Sequence, residues 1–231
     1  MRKNSPATFV ISLGGSLVCP EGGRIDTAFL KKFRAVILSH VRQGERFVIV
    51  VGGGKLCRTW QAAARELGVR QNTELDWIGI AATAANAEVV RAAFGEVAHP
   101  QVVANPFQKV ARFKVLVGCG FVPGHSTDYD AVVRAKTVGA RTVINLSNVE
   151  YIYKQDPTKF PQAKPLKKLS WAQYQKMFPA AWQPGANVPF DVTAARAAER
   201  QGLRVAFLGG VNLENLERFL QEEKFCGTII E

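Results

Sequence analysis

Apolar and polar positions along this chain of 231 residues follow two periods that take turns. Short β-branched runs such as Thr8–Leu13 (TFVISL) and Phe47–Val51 (FVIVV) are almost continuously apolar, the mark of strands buried on both faces. Between them Phe29, Leu30, Phe33, Val36, Ile37 and Val41 recur at helical spacing, with Asp26 placed to cap the first turn. The same exchange of periods predicts helices over about 55–67, 73–94 and 128–139, and strands at Val115–Val117 and Thr142–Leu146. A helix near 191–201, a strand at Arg204–Leu208, a helix near 212–222 and a closing strand at Gly227–Ile230 complete the pattern. Strands that alternate with helices from end to end predict an α/β fold, a mostly parallel sheet covered by helices on both faces. Residues 147–190 break this rhythm. They hold six of the eleven prolines and read as long structured loops around one short helix, a length of loop that in a compact fold usually carries function.

Composition supports a substantial core, with 47% apolar or aromatic residues and 21% charged. No apolar run reaches the roughly 18 residues of a membrane span. The first residues pass from a short basic stretch into a strand without a secretory apolar region, so a cytoplasmic protein is expected. Cys19, Cys57, Cys119 and Cys226 stand singly, without the paired spacing of a zinc site or a disulfide framework. The net charge of +11 lies mostly in residues 1–115, which carry 16 basic against 8 acidic residues. Such an excess admits acidic small molecules, nucleic acid or an anionic surface as partners, or only a solvated basic face. The absence of any basic block or basic and aromatic repeat argues against a nucleic-acid track.

The chemistry is carried by glycines at strand ends. Gly14-Gly15-Ser16 follows the first strand and Gly52-Gly53-Gly54 the second, where bare backbone N–H groups and a helix N-terminus can meet an anion. Lys55 and Arg58 stand nearly one turn apart on the helix that follows, so both cations face what the glycines hold. Neither loop is GxxxxGK[ST], and no GxGxxG opens the first strand and helix, which excludes the Walker and dinucleotide-binding patterns. A third loop, 118–128, offers His125, Ser126 and Thr127 as donors, with Asp128 at a helix start where it serves as a cap or as a ligand. His40 and His99 lie elsewhere, so no histidine cluster forms, and no GxSxG elbow suggests a hydrolase.

Six segments in order, LGGS (13–16), VVGGGKLCR (50–58), DWIGIAATAANA (76–87), PGHSTD (123–128), SNVEYIYKQDP (147–157) and PFD (189–191), resemble the successive motifs of the amino acid kinase superfamily, and within it the archaeal-type UMP kinases. The resemblance implies one three-layer α/β/α domain over 1–231, with an acceptor-binding lobe over about 1–140 and a nucleotide-binding lobe over about 141–231. It implies transfer of the γ-phosphoryl group of ATP to UMP with Mg²⁺ carried by the nucleotide, no metal ligand of the protein's own, and a homohexamer bound to neither membrane nor nucleic acid. By position, Gly14, Gly15, Ser16, Gly54 and Arg58 correspond to residues on the ATP phosphates, and Ser147, Asn148, Tyr153 and Asp156 to the nucleoside side of that site. Gly53, the Asp76 carboxylate and the loop Phe121, Val122, Pro123, Gly124, His125, Ser126 and Thr127 correspond to the UMP site. Lys55, Arg58 and Asp191 correspond to the catalytic set, although Asp191 also reads as a helix cap. A phosphate oxygen of UMP is ionised at neutral pH, so such a reaction needs alignment and charge neutralisation rather than a general base.

Two positions depart from the family pattern. Ser12 stands where a charged residue is usual, and Glu150-Tyr151 where Asp-Gly is usual. Two other expectations stay open: an amino acid kinase acting on a small phosphate such as isopentenyl phosphate, for which Asp76 has no use, and a catalytically silent relative that binds nucleotides or oxyanions.

Overall fold

A computed structural model describes residues 7–155, 159–160, 162–178 and 188–231. Its centre is a seven-stranded sheet built from β1 (Thr8–Leu13), β2 (Arg46–Val51), β3 (Val115–Gly118), β4 (Thr142–Ser147), β7 (Lys168–Leu169), β8 (Arg204–Gly209) and β9 (Thr228–Ile230), in the order β3-β2-β1-β4-β8-β9-β7. Every neighbouring pair is parallel except β8 with β9. The predicted helices form as α2 (Thr27–Arg42), α3 (Gly54–Glu66), α4 (Asn72–Phe94), α5 (Thr127–Val138), α7 (Val192–Arg200) and α8 (Leu213–Leu220). Asp26 caps α2 by accepting from Phe29 N at 2.9 Å.

The two-residue period of each strand sorts its side chains to two cores. Ile11, Leu13, Ile49, Val117 and Leu146 join α2, α4 and α8 on one face, while Val10, Val48, Leu116 and Val143 join α5 and α7 on the other. By the same alternation Ser12 and Asn145 face α5, and they are direct neighbours in the β1 to β4 register. These are polar positions inside otherwise apolar strands, which is costly unless something there bonds them.

Three features were not visible in the periodicity. A single turn, α1 (Gly15–Val18), follows the first glycines directly. The segment read as loops contains a small hairpin, β5 (Ile152–Tyr153) with β6 (Pro165–Leu166), besides the edge strand β7 and one helix, α6 (Trp171–Met177). The helix start assigned to Asp128 is in fact capped by Ser126, whose hydroxyl oxygen accepts from Asp128 N at 3.2 Å. No described helix is long and apolar enough to cross a membrane.

Candidate active site

β1 has β2 on one side and β4 on the other, so connections leave its carboxyl end in opposite directions and open a crevice there. The floor of the crevice is glycine backbone. A Cβ on Gly15 would stand 2.1 Å from Gly54 N and 2.5 Å from the Gly52 carbonyl carbon, so the two turns touch main chain to main chain and no side chain fits. Gly54 begins α3 at φ +61, which glycine adopts without strain. From α4, the buried Asn86 amide donates to the Gly52 and Gly53 carbonyls at 2.9 and 3.0 Å and fixes the second turn. The N-terminus of α3 directs its partial positive charge to the same place.

The second wall is the loop between β3 and α5, held by α4. Thr83 Oγ1 accepts from Gly120 N at 3.0 Å, and Asp76 Oδ2 accepts from Gly124 N at 2.8 Å. Two turns of helix thereby set the path of the loop that carries His125, Ser126 and Thr127. The His125 ring lies 4.2 Å from that of Tyr129, and its burial lowers the imidazole pKa below the usual value.

Asp128 ties four elements together. Its Oδ1 accepts from Ser12 Oγ at 2.7 Å and from Asn145 Nδ2 at 2.8 Å, and its Oδ2 accepts from Asp191 N at 3.1 Å. The two polar strand positions thus find their partner in one carboxylate. Burial pushes the Asp128 carboxyl up to about 6, although these donors pull it down. Asp191 caps α7 by accepting from Ala194 N at 2.8 Å, and its other oxygen accepts from Ser126 N at 3.2 Å. It is therefore both a cap and a clamp on the loop. Tyr174 in turn holds the preceding residue, its hydroxyl donating to the Phe190 carbonyl and accepting from Phe190 N.

At the mouth the chain supplies its own anion. Glu21 meets Lys55 Nζ at 3.0 Å and Arg58 Nη2 at 2.8 Å, and the two cations hold its carboxyl below the usual range. Lys55 and Arg58 do converge on one anion, as their spacing implies. That anion is a side chain of the protein.

Between these walls lies a cleft of about 490 Å³. It brings together Ser16, Gly53, Gly54, Arg58, Asp76 and Asn148, and on the far side His125, Ser126, Thr127 and Asp191. Gly14 and Gly15 lie just behind the floor. Phe121, Val122, Pro123 and Gly124 form the outer part of the loop, half-exposed to exposed. Lys55, Ser147 and Tyr153 do not wall the cleft; Lys55 reaches it through Glu21, and Tyr153 packs edge to face on Tyr151. Asp156 lies outside the described residues. Glu21, Asn86 and Thr83 were not singled out as binding or catalytic residues from sequence, and Asp128 was read there as a cap or a ligand. Gly79, Thr83 and Asn86 fall at helical spacing after Asp76, a small and polar stripe in an otherwise apolar helix, and that stripe was the available signal.

Residues 7–209 match the sequence model of the amino acid kinase family. The uridylate kinase of Archaeoglobus fulgidus is 35% identical over 226 residues, covering 96% of this chain and 98% of that one. The uridylate kinase of Methanothermobacter thermautotrophicus is 33% identical over 227 residues, covering 96% and 97%. The crystal structure of the Archaeoglobus enzyme superposes with a TM-score of 0.81 at 33% identity, covering 97% of this chain and all of that one. A UMP kinase structure from Bacillus anthracis, with a TM-score of 0.78 at 23% identity, shares the fold.

Proposed function

The chain belongs to the amino acid kinase family, and from that premise we propose that it is a UMP kinase, which moves the γ-phosphoryl group of ATP to UMP and yields UDP and ADP. The observation that carries this reading is the likeness to uridylate kinases over nearly the full length of both chains. The site supports it by placing an anion-binding glycine floor beside a polar wall with a carboxylate, Asp76, at the distance of one loop from His125.

In this reading Gly14, Gly15, Ser16, Gly54 and Arg58 take the phosphates of ATP, with Ser147, Asn148, Tyr153 and Asp156 on its nucleoside side. Gly53, Asp76 and the loop from Phe121 to Thr127 take UMP. Residues of about 1–140 form the acceptor lobe and about 141–231 the nucleotide lobe. The donors at the floor are backbone N–H groups and the Ser16 hydroxyl, which suit phosphate oxygens with Mg²⁺ riding on them. When bound, Mg²⁺ supplies charge neutralisation on those oxygens. The acceptor oxygen needs no base, so the chain's own contribution is geometry and charge. The glycine floor holds the donor phosphates, Asp191 fixes the Ser126 backbone that faces the acceptor, and Lys55 and Arg58 exchange Glu21 for substrate phosphate.

A homohexamer in the cytoplasm completes the reading. Trp60, Leu67 and Trp77 are exposed on and beside α3 and α4 and offer the apolar surface that such an assembly covers. The test is a panel of acceptors assayed with ATP and Mg²⁺. UMP should raise ADP formation far above CMP, AMP or isopentenyl phosphate; equal turnover with any of them, or none with UMP, overturns the assignment.

A further inference from the structure

The second glycine turn directs its backbone groups to two sides. The amides at its ends are engaged inside the chain, Gly52 N donating to the Leu13 carbonyl and Lys55 N to the Cys19 carbonyl, each at 2.9 Å. Between them, the N–H groups of Gly53 and Gly54 have no acceptor among the described residues, and both glycines line the cleft. Two such groups in succession at the start of a helix are what an anion needs.

On their other side stands one side chain. Asn86, 1% exposed in α4, donates from Nδ2 to the carbonyls of Gly52 and Gly53 at 2.9 and 3.0 Å. An amide nitrogen carries two hydrogens, one for each carbonyl. No peptide bond among the described residues is cis, and in a trans peptide the C=O and the N–H point in opposite directions. The Gly52–Gly53 and Gly53–Gly54 peptides therefore turn their carbonyls to Asn86 and their N–H groups away from it. The Asn86 Oδ1 is buried with no partner among the described residues. An orphan buried amide oxygen costs stability, so Asn86 is poorly explained as packing and well explained as the holder of these two peptides.

We propose that Asn86 is a positioning residue for phosphoryl transfer, aiming the Gly53 and Gly54 N–H groups at the phosphoryl group in transit between the two substrates. The inference rests on the UMP kinase reading, in which Gly53 lies on UMP and Gly54 on the ATP phosphates, so that the peptide joining them spans the junction of the two. Charge spreads over the equatorial oxygens of the transferring group as it moves. Two donors aimed there in advance bind the transition state better than either ground state. Asn86, beneath the floor, acts through the backbone alone.

The test reads the two amides directly. Five amides of the chain follow a glycine, those of Gly15, Gly23, Gly53, Gly54 and Gly210. Glycine carrying ¹³C at the carbonyl and ¹⁵N at the amide therefore isolates them in a carbonyl-filtered spectrum. Adding UMP, Mg²⁺ and the β,γ-imido analogue of ATP should move the Gly53 and Gly54 protons of the parent protein downfield. In Asn86→Ala those two shifts should largely vanish, while Gly15, on the other turn, responds as before. The kcat of the variant should fall about 10- to 100-fold, the scale of a small misplacement of reacting groups, with both KM values within about threefold of the parent. Val90→Ala, which opens a cavity one turn further along α4 in the apolar core, should lower the melting temperature and leave kcat unchanged. Parent kcat in Asn86→Ala, or an equal loss of kcat in Val90→Ala, overturns the inference alone. So do Gly53 and Gly54 signals that stay in place in a parent protein that turns over UMP, an outcome that needs no variant to fold. A parent protein without UMP-dependent turnover overturns the kinase reading and the inference with it.

Discussion

The two polar groups that flank the cleft are each centred on carboxylates and differ in what water does to them. At the mouth, Glu21, Lys55 and Arg58 form a triangle whose side chains are 77%, 37% and 42% exposed. Within, Asp128 and Asp191 are tied to Ser12, Asn145, Ser126 and two helix starts, and Asp191 is 2% exposed. An exposed pair is screened and exchanges partners cheaply, whereas a buried carboxylate must keep every donor it has. The inner group is therefore suited to hold backbone in place and the outer group to be displaced. In the proposed reading a substrate phosphate takes the place of Glu21, whereas Asp128 keeps its three donors.

The largest effect expected from breaking this contrast is at Lys55. Lys55→Ala removes a cation from the outer group and should lower kcat/KM by about 30- to 1000-fold, on the scale of one lost electrostatic clamp of roughly 2 to 4 kcal/mol. Thermal unfolding should be almost unchanged, because the bond lost is an exposed one. Steady-state kinetics beside a melting curve checks both halves, and preserved activity would leave Arg58 as the working cation at the mouth.

The inner group should answer in the opposite currency, stability. Asp128→Asn keeps an acceptor for Ser12 and Asn145 but turns an amide N–H toward the Asp191 N–H, and an unsatisfied buried pair costs about 1 to 3 kcal/mol. The pH dependence sharpens the point. The folded Asp128 carboxyl, pushed up to about 6, holds its proton more tightly than the unfolded chain at 3.8. Stability from this group therefore falls as pH rises from about 4 to about 6 and is level above. Urea unfolding at a series of pH values should show that fall in the parent protein and lose this part of it in Asp128→Asn.

The strands and helices were legible because each obeys one period and buries what the period predicts. Ser12 shows where that legibility stops. Along the chain it is a departure from its family's pattern, a polar residue where a charge is usual; in the fold it is one of three donors to Asp128, brought there from 116 residues away. Asp128 itself looked like a cap because it follows a loop and begins a helix, and only the position of β1 and β4 under α5 reveals its partners. Glu21 was invisible for the opposite reason. It sits in an irregular turn with no period, and its relation to Lys55 and Arg58 exists only once β1 and β2 lie side by side. The glycines, by contrast, were legible because backbone contact leaves no alternative residue type: a Cβ added at Gly15 would fall 2.1 Å from Gly54 N. Hairpin β5–β6 was missed because two-residue strands are too short to show a period.

The smallest effect separates the outer group's two roles, counterion and gate. Glu21→Gln keeps the size of the side chain and can still bond one cation through its amide oxygen, but it removes the negative charge that pairs with Lys55 and Arg58. If Glu21 competes with substrate for Lys55 and Arg58, the variant should show a KM for ATP lowered about two- to fivefold. The gain should shrink as salt is raised past about 0.15 M, where a Debye length of about 8 Å already screens exposed charges. The KM for UMP should not move, because Glu21 faces the mouth and His125 the inner wall. A rise in the KM for ATP would give Glu21 the reverse role, as the residue that orders both cations for the phosphates, and would place the outer group with Asp128 among the parts that cannot be exchanged.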